Sequence, residues 1–379
     1  MTNAFPYILI ICIFCVLAYF CEQTQKIELK EKYKYISVGI FIFFFGLRGF
    51  ILSDWIVYYE YFFNCDFSYL LGWPTTQGVM EPGFTLLCLL VKTIMPNYSF
   101  FVFITTAINT YLLLLFFKGR ISNLPLALAI YICFEGLLIS TNFMRNSIAI
   151  LLFLNSLNSL ETRDAKKYFL LIFIAFSFHS SALLYMPLYF VFNRKCNKWI
   201  YLGIFMICNV IFLSKVSLFS SLLSIFGIDE DLSMKVRAYT ELYDKSSKIS
   251  IGYLERLLTG CLIFCFFDKL NDIRKENAVF INAVLAYFIC FFCISEFEVL
   301  SKRLCALFAF GYWILWIDLL KCFSIKNNKN LYALFIGLYC ILKIGSSTML
   351  PDFKYENIIF GASSYQERLY YHNRTYDGP

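Results

Sequence analysis

The sequence predicts an all-α polytopic membrane protein of about ten to twelve transmembrane helices, one or two of its segments re-entrant or broken. Three observations predict it. First, 60% of the 379 residues are hydrophobic, only 16% are charged, and the mean hydropathy is +0.66. No soluble domain of this length covers that much apolar surface, so lipid must be the solvent for most of it. Second, apolar runs of about twenty residues recur along the chain, and a helix rising about 1.5 Å per residue needs that many to cross about 30 Å of hydrocarbon. Third, the net charge of +7 comes from Lys and Arg gathered in short segments between these runs. That is the pattern of loops that orient a membrane protein, not of a nucleic-acid surface. The expected organisation is one membrane domain over residues 1–350, with external loops at about 53–83 and 214–250, and a polar external tail over 351–379.

Met1-Thr2-Asn3-Ala4 carries no basic residue and no cleavage signal follows, so Phe5 to Cys21 reads as a retained first helix. Lys26, Lys30, Lys32 and Lys34 then mark a cytoplasmic loop, and Tyr35 to Leu52 returns to the outside. Ser53 to Gly83 holds Asp54, Glu60, Asp66 and Glu81 and no Lys or Arg, as an external loop should. Phe84 to Met95 is too short to cross and reads as re-entrant. With that assignment Tyr98 to Phe117 brings Lys118 and Arg120 inside, Leu124 to Ser140 goes out, and Phe143 to Leu160 brings Arg163, Lys166 and Lys167 inside.

Tyr168 to Phe192 has cytoplasmic charges at both ends, Lys167 before it and Arg194, Lys195 and Lys198 after it. A broken hairpin with Ser177 to Ser181 at its apex fits, and such backbone is tolerated at membrane depth only where it lines a protein cavity. Further spans are expected from Trp199 to about Leu213, then Ile251 to Phe267, Ala278 to Ile294, Leu304 to Leu320 and Leu331 to Gly345. Between them Ser214 to Ser250 is mixed in charge and contains Tyr239. The Cys residues lie mostly inside apolar runs, where they act as small apolar side chains. Cys12 and Cys15, and Cys290 and Cys293, have CxxC spacing without His or acidic partners, so neither a metal nor a redox cofactor is expected.

Chemistry is expected at the external side. Arg48 ends the second helix, and Arg145 and Arg303 fall in short turns on the same face, against the orientation rule. The bland reading is interfacial Arg reaching to lipid head groups; the sharp one is an anion clamp, since guanidinium offers phosphate a rigid fork of donors. Asp54, Glu60 and Glu81 are acids on that side, where one could accept a proton from a hydroxyl, although each also fits an ordinary solvated acid. For Glu60 the solvated reading is preferred, and Glu81 also suits the dipole of the helix it precedes. His179 reads as a hydrogen-bonded interior His or as a proton carrier at the apex. Glu135 is a pairing candidate for one of the arginines. Tyr58 and Tyr59, in the aromatic stretch from Trp55 to Tyr69, fit either sugar stacking or an interfacial belt. No P-loop, GxGxxG or HExxH is present, and no repeat of 20 to 50 residues.

Leu47-Arg48-Gly49-Phe50 with Asp54 and Tyr58, then Glu81-Pro82-Gly83-Phe84, Asn142-Phe143-Met144-Arg145-Asn146 and Phe178-His179-Ser180-Ser181-Ala182, resemble the successive motifs of the EpsG family, Wzy-type polymerases of bacterial O-antigen, capsule and exopolysaccharide. The resemblance runs in order from about residue 35 to 320; Asn146 departs from it, Gln being commoner after the Arg. It implies a GT-C-like fold and a metal-independent, inverting-type glycosyltransferase of the inner membrane, working without cofactor on its periplasmic face. Donor and acceptor are then glycans linked to undecaprenyl pyrophosphate, with the bilayer and a chain-length regulator protein as further partners and no nucleic acid. It implies catalytic roles for Arg48, Asp54, Glu81, Arg145 and His179, and substrate contacts for Tyr58, Tyr59, Asn142, Asn146, Arg303 and Tyr239. Which of Glu81, Asp54 and His179 is the base stays open. A flippase of lipid-linked sugars would favour internal symmetry, and a membrane acyltransferase would need an acidic partner near its His. The sequence offers neither.

Overall fold

A computed structural model describes residues 3–70, 78–214, 250–295 and 297–376. Among these residues every regular element is helical, and the only β-type pairing is an isolated antiparallel bridge between Arg48 and Asn357. The chain forms two compact units, one of Met1–Val191 with Ala333–Pro379 and one of Phe192–Tyr332. Phe5–Gln23, Tyr98–Phe117, Leu124–Thr141 and Lys326–Ser347 are each long and apolar enough to cross a membrane. Val299–Phe308 and Phe310–Cys322 make a fifth span if taken together across a 54° bend. The chain is therefore a multi-pass membrane protein with all-α architecture. Among the described residues several other apolar runs fold as shorter helices, among them Pro82–Ile94, Lys198–Leu213 and Asn277–Cys293.

The first unit sets the site. Its second helix starts at Ile27, within the Lys-rich stretch, and stops at Gly46, short of the expected Leu52. The reason lies in its last carbonyls, which an α-helix leaves without partners. Here three of the four meet a donor from elsewhere: Phe43 O accepts Asn357 Nδ2, Phe44 O accepts the Tyr355 hydroxyl at 3.0 Å, and Phe45 O accepts Arg48 Nη1 at 2.5 Å and the Thr106 hydroxyl. Residues 47–52 then run alongside the C-terminal segment. Ile358 N–H donates to Leu47 O, Gly49 N–H to Glu356 O and Leu52 N–H to Asp352 O. Leu52 has φ +64°, a backbone state that costs a residue with a Cβ about 1 kcal/mol.

Tyr98–Phe117 and Met144–Glu161 lie side by side and parallel: Tyr98 touches Met144, Asn109 donates to Ser147 at 2.8 Å, and Asn155 donates to Leu112 O. Arg120 closes the far end against Phe116 O and Asn158. Pro82–Ile94 is thirteen residues long. Its first end meets Arg145, while Met95–Asn97 leads straight into the helix that begins at Tyr98. Both ends therefore lie near the starts of Tyr98–Phe117 and Met144–Glu161, which meet through Tyr98 and Met144.

The hairpin expected over Tyr168 to Phe192 forms. Ala165–Phe178 rises to His179, and a 3-10 segment, Ser180–Tyr185, returns. The two arms are tied by Tyr168 OH to Tyr185 O at 2.6 Å and by reciprocal bonds between Arg163 and Tyr189. At the apex Gly83 is a packing requirement, because a Cβ there would sit 2.4 Å from Ser177 Oγ. Leu124–Thr141 carries an unexpected break at Ile132–Gly136, where Glu135 adopts φ 64° and a Cβ on Gly136 would lie 2.2 Å from Tyr131 O.

The second unit packs Lys198–Leu213, Ile251–Cys265, Asn277–Cys293 and Phe310–Cys322 around buried Tyr287, Tyr312, Trp313 and Trp316. Its buried Asp318 is matched by Arg274 at 2.9 Å and Lys321 at 2.8 Å. The external loop expected at 214–250 lies almost wholly outside the described residues.

Candidate active site

The turn Thr141 to Asn146, between the helices Leu124–Thr141 and Met144–Glu161 of the first unit, holds together most of the expected residues. Successive residues of it reach different walls. Thr141 contributes its carbonyl, which accepts Arg48 Nη2 at 3.4 Å; Asn142 Oδ1 accepts the Asp54 N–H at 3.1 Å. Arg145 Nη1 lies 2.5 Å from Glu81 Oε2, and Asn146 Oδ1 is 2.8 Å from Ser181 Oγ. A tight turn in this sequence can do so because Asn142 caps the end of one helix while Arg145 and Asn146 project from successive positions at the start of the next.

Arg48 is buried and satisfied from within. Its donors go to Phe45 O, to Thr106 Oγ1 at 3.2 Å and to Thr141 O. Asp54 precedes the helix Trp55–Asn64 and is half-buried beside Asn142. Glu81 is buried, both its oxygens engaged: Oε2 by Arg145 and Oε1 by the Ser180 N–H at 3.1 Å. Tyr61 and Thr85 fix the approach to it, their hydroxyls 2.5 Å apart and Met80 N–H donating to Tyr61. Arg145 also lies over the Tyr58 ring, 6.0 Å from its centre. Burial pushes the Tyr58 hydroxyl above its ordinary value, against the downward pull of Arg145.

His179 caps the 3-10 segment. Its Nδ1 accepts the Ser181 N–H at 3.1 Å and lies 2.8 Å from Ser181 Oγ. A ring nitrogen that accepts an N–H carries no proton, so neutral His179 holds its proton on Nε2. His179 is thus an Nε2–H donor one residue from the contact between Ser180 and Glu81.

Tyr59 stacks on Tyr365 at 3.9 Å and 11°, so one of its faces is covered by the C-terminal helix Tyr365–Tyr376. Tyr365 OH bonds Glu60 at 3.0 Å. Glu135 stands at the break in Leu124–Thr141. Arg303 is exposed on Glu298–Phe308 in the second unit, and Tyr239 lies outside the described residues.

The structure brings in groups that sequence reasoning missed: the Thr141 carbonyl, the Ser180 N–H, Thr106, Tyr355 and Asn357. Two are backbone atoms, for which no residue type is a signal. The others are single polar residues in apolar or tail segments.

The comparison with family models decides the affiliation. The model of the EpsG family matches residues 31–358. The chain belongs to the EpsG family. The match takes in most of the second helix, every site residue of the first unit and the C-terminal residues Tyr355 and Asn357 that close on Arg48. No curated protein and no solved structure matches the chain. Membership in the EpsG family points to a polysaccharide-polymerase type of function.

Proposed function

We propose that this EpsG-family chain is a glycosyltransferase that joins undecaprenyl-pyrophosphate-linked oligosaccharide repeats into O-antigen, capsule or exopolysaccharide at the periplasmic face of a bacterial inner membrane. The observation that carries the reading is the Arg145–Glu81 pair, set against the His179–Ser181 apex in a family of polymerase type. The reaction needs a cation for the charge that develops on the leaving diphosphate and a base for the acceptor hydroxyl. Arg145 serves the first need without a metal ion, and its fork suits phosphate oxygens. Glu81 serves the second, with Asp54 nearby on Asn142, and the Nε2–H of His179 adds a hydrogen bond to the diphosphate.

Arg48 acts as a positioning residue in this reading, since its donors hold Phe45 O and Thr141 O and so fix the turn that presents Asn142, Arg145 and Asn146. Tyr58 orients Arg145. Tyr59, Arg303 and Tyr239 supply glycan contacts, and a chain-length regulator is the expected protein partner. Deletion of the gene should leave surface glycan as a single repeat on its lipid anchor, read by gel mobility of the extracted material. Unchanged polymer length, or loss of even the single repeat from the surface, would refute the assignment.

A further inference from the structure

Glu81 fills the anion position of its own site. Its carboxylate sits between the Arg145 guanidinium, at 2.5 Å, and the Ser180 N–H, at 3.1 Å. A cation on one oxygen and a backbone N–H on the other are the donor set that two oxygens of a phosphate group take. The carboxylate is not otherwise committed. Glu81 stands at the N-cap of Pro82–Ile94 but makes no side-chain cap bond to that helix. Arg145 is not saturated by it either: its Nε is buried and has no hydrogen-bond partner, although the side chain as a whole is a quarter exposed. Beyond its contacts with Glu81 and Tyr58, the fork thus keeps a donor for a second ligand oxygen.

We propose that Glu81 is an internal competitor for the donor diphosphate. In the empty site it holds the position between Arg145 and the Ser180 N–H; the diphosphate of the lipid-linked donor displaces it, and the freed carboxylate becomes the base. This rests on the polymerase reading above. The acceptor oxygen bonds to C1 of the donor's reducing-end sugar, and the bond from C1 to the diphosphate oxygen breaks with its electron pair going to the diphosphate. The hydroxyl proton goes to Glu81. Displacement orders the two events, because a carboxylate with both oxygens held by Arg145 and Ser180 has none to offer an acceptor hydroxyl until the diphosphate has taken its place. A site without donor therefore does not activate water.

The sign of one measurement separates this from a plain structural pair. If Glu81 merely holds Arg145 in place, losing its charge weakens diphosphate binding. If it competes, losing its charge strengthens binding, by about tenfold where the carboxylate occupies the position nine-tenths of the time. The full-length protein in lipid nanodiscs is titrated with undecaprenyl diphosphate, and transfer is followed separately with a lipid-linked repeat. Expected are tighter binding and lost transfer at saturating donor for Glu81→Gln, tighter binding with residual transfer for Glu81→Asp, and lost binding for Arg145→Ala. Unchanged or weaker binding in both Glu81 variants, with Arg145→Ala still unable to bind, overturns the competition and leaves the polymerase reading standing. Equal binding by wild type and Arg145→Ala overturns that reading and the competition with it.

Discussion

At the scale of single residues, the site is a set of short polar contacts made where the surrounding chain is apolar. His179 shows how two roles can be separated within one side chain. Its Nδ1 accepts the Ser181 N–H and starts the 3-10 return, while its Nε2 carries the proton. Asn places an acceptor oxygen close to the Nδ1 position and nothing at Nε2; Gln reaches the Nε2 position with an amide donor. His179→Asn should therefore keep the fold and lose transfer by about a hundredfold, the typical worth of one donor to developing charge. His179→Gln should lose less activity and more thermal stability. Full activity in His179→Asn would reduce the residue to a cap, and the measurement is transfer rate beside melting temperature. Arg48, Glu81, Arg145 and His179 were legible in the sequence because ionisable groups are expensive in hydrocarbon and stand out there. Their partners were not, since Thr141 O and Ser180 N–H belong to the backbone and become donors or acceptors only when a helix stops. That Arg48 turns inward was equally hidden, because an outward and an inward guanidinium have the same sequence.

At the scale of elements, the breaks matter more than the spans. The hairpin over Tyr168 to Phe192 was legible from charge parity, and the short Pro82–Ile94 from its length. The break at Ile132–Gly136 was not, because nothing in an apolar run of spanning length marks where Gly136 must approach Tyr131 O. Least legible was the C-terminal segment, a polar stretch that closes the end of the second helix through Tyr355, Asn357 and the backbone of Glu356. Glu356 makes this closure sensitive to acid. Burial works to raise its carboxyl, but Lys354 at 2.6 Å and the Ser363 hydroxyl and N–H outweigh it and hold the group below its ordinary value. A carboxyl depressed in the folded state contributes stability that is complete above its unfolded pKa, about 4.3, and is lost as pH falls through the lower folded value. Wild-type melting temperature should therefore fall from about pH 4.3 downward. Glu356→Gln should start lower at pH 7, by about 1 kcal/mol of lost bonding, and show a flatter acid limb. Identical acid limbs would mean that the segment is fastened by its backbone bonds alone.

At the scale of the whole molecule, the basic residues set an orientation that the site geometry then tests. Lys118, Arg120, Arg163, Lys166 and Lys167 follow the ends of Tyr98–Phe117 and Met144–Glu161, whereas Tyr98 and Met144, at their starts, meet beneath the turn that carries Arg145. Because these two helices run parallel and side by side, the basic cluster and the Arg145–Glu81 pair lie at opposite ends of the first unit. The C-terminal helix Tyr365–Tyr376 stacks on Tyr59 and bonds Glu60, so it shares the end that holds the pair. Positive loops tend to stay in the cytoplasm, and that rule predicts the pair, the Trp55–Asn64 helix and the C-terminal helix together on the periplasmic side. Reporter fusions read this directly. Alkaline phosphatase joined after Pro379 should be active and green fluorescent protein at the same point dark, while the reverse should hold for fusions at Arg120. The C-terminal reporter is the decisive one, because its placement follows from contacts with Tyr59 and Glu60 and not from any charge near it. A fluorescent C-terminus beside a fluorescent Arg120 fusion would require the tail to leave Tyr59, and would take the Arg48 closure with it. If instead both fusions exchange their outcomes, the unit keeps its fold and the proposed diphosphate chemistry moves to the cytoplasmic face, where polymer growth would precede export.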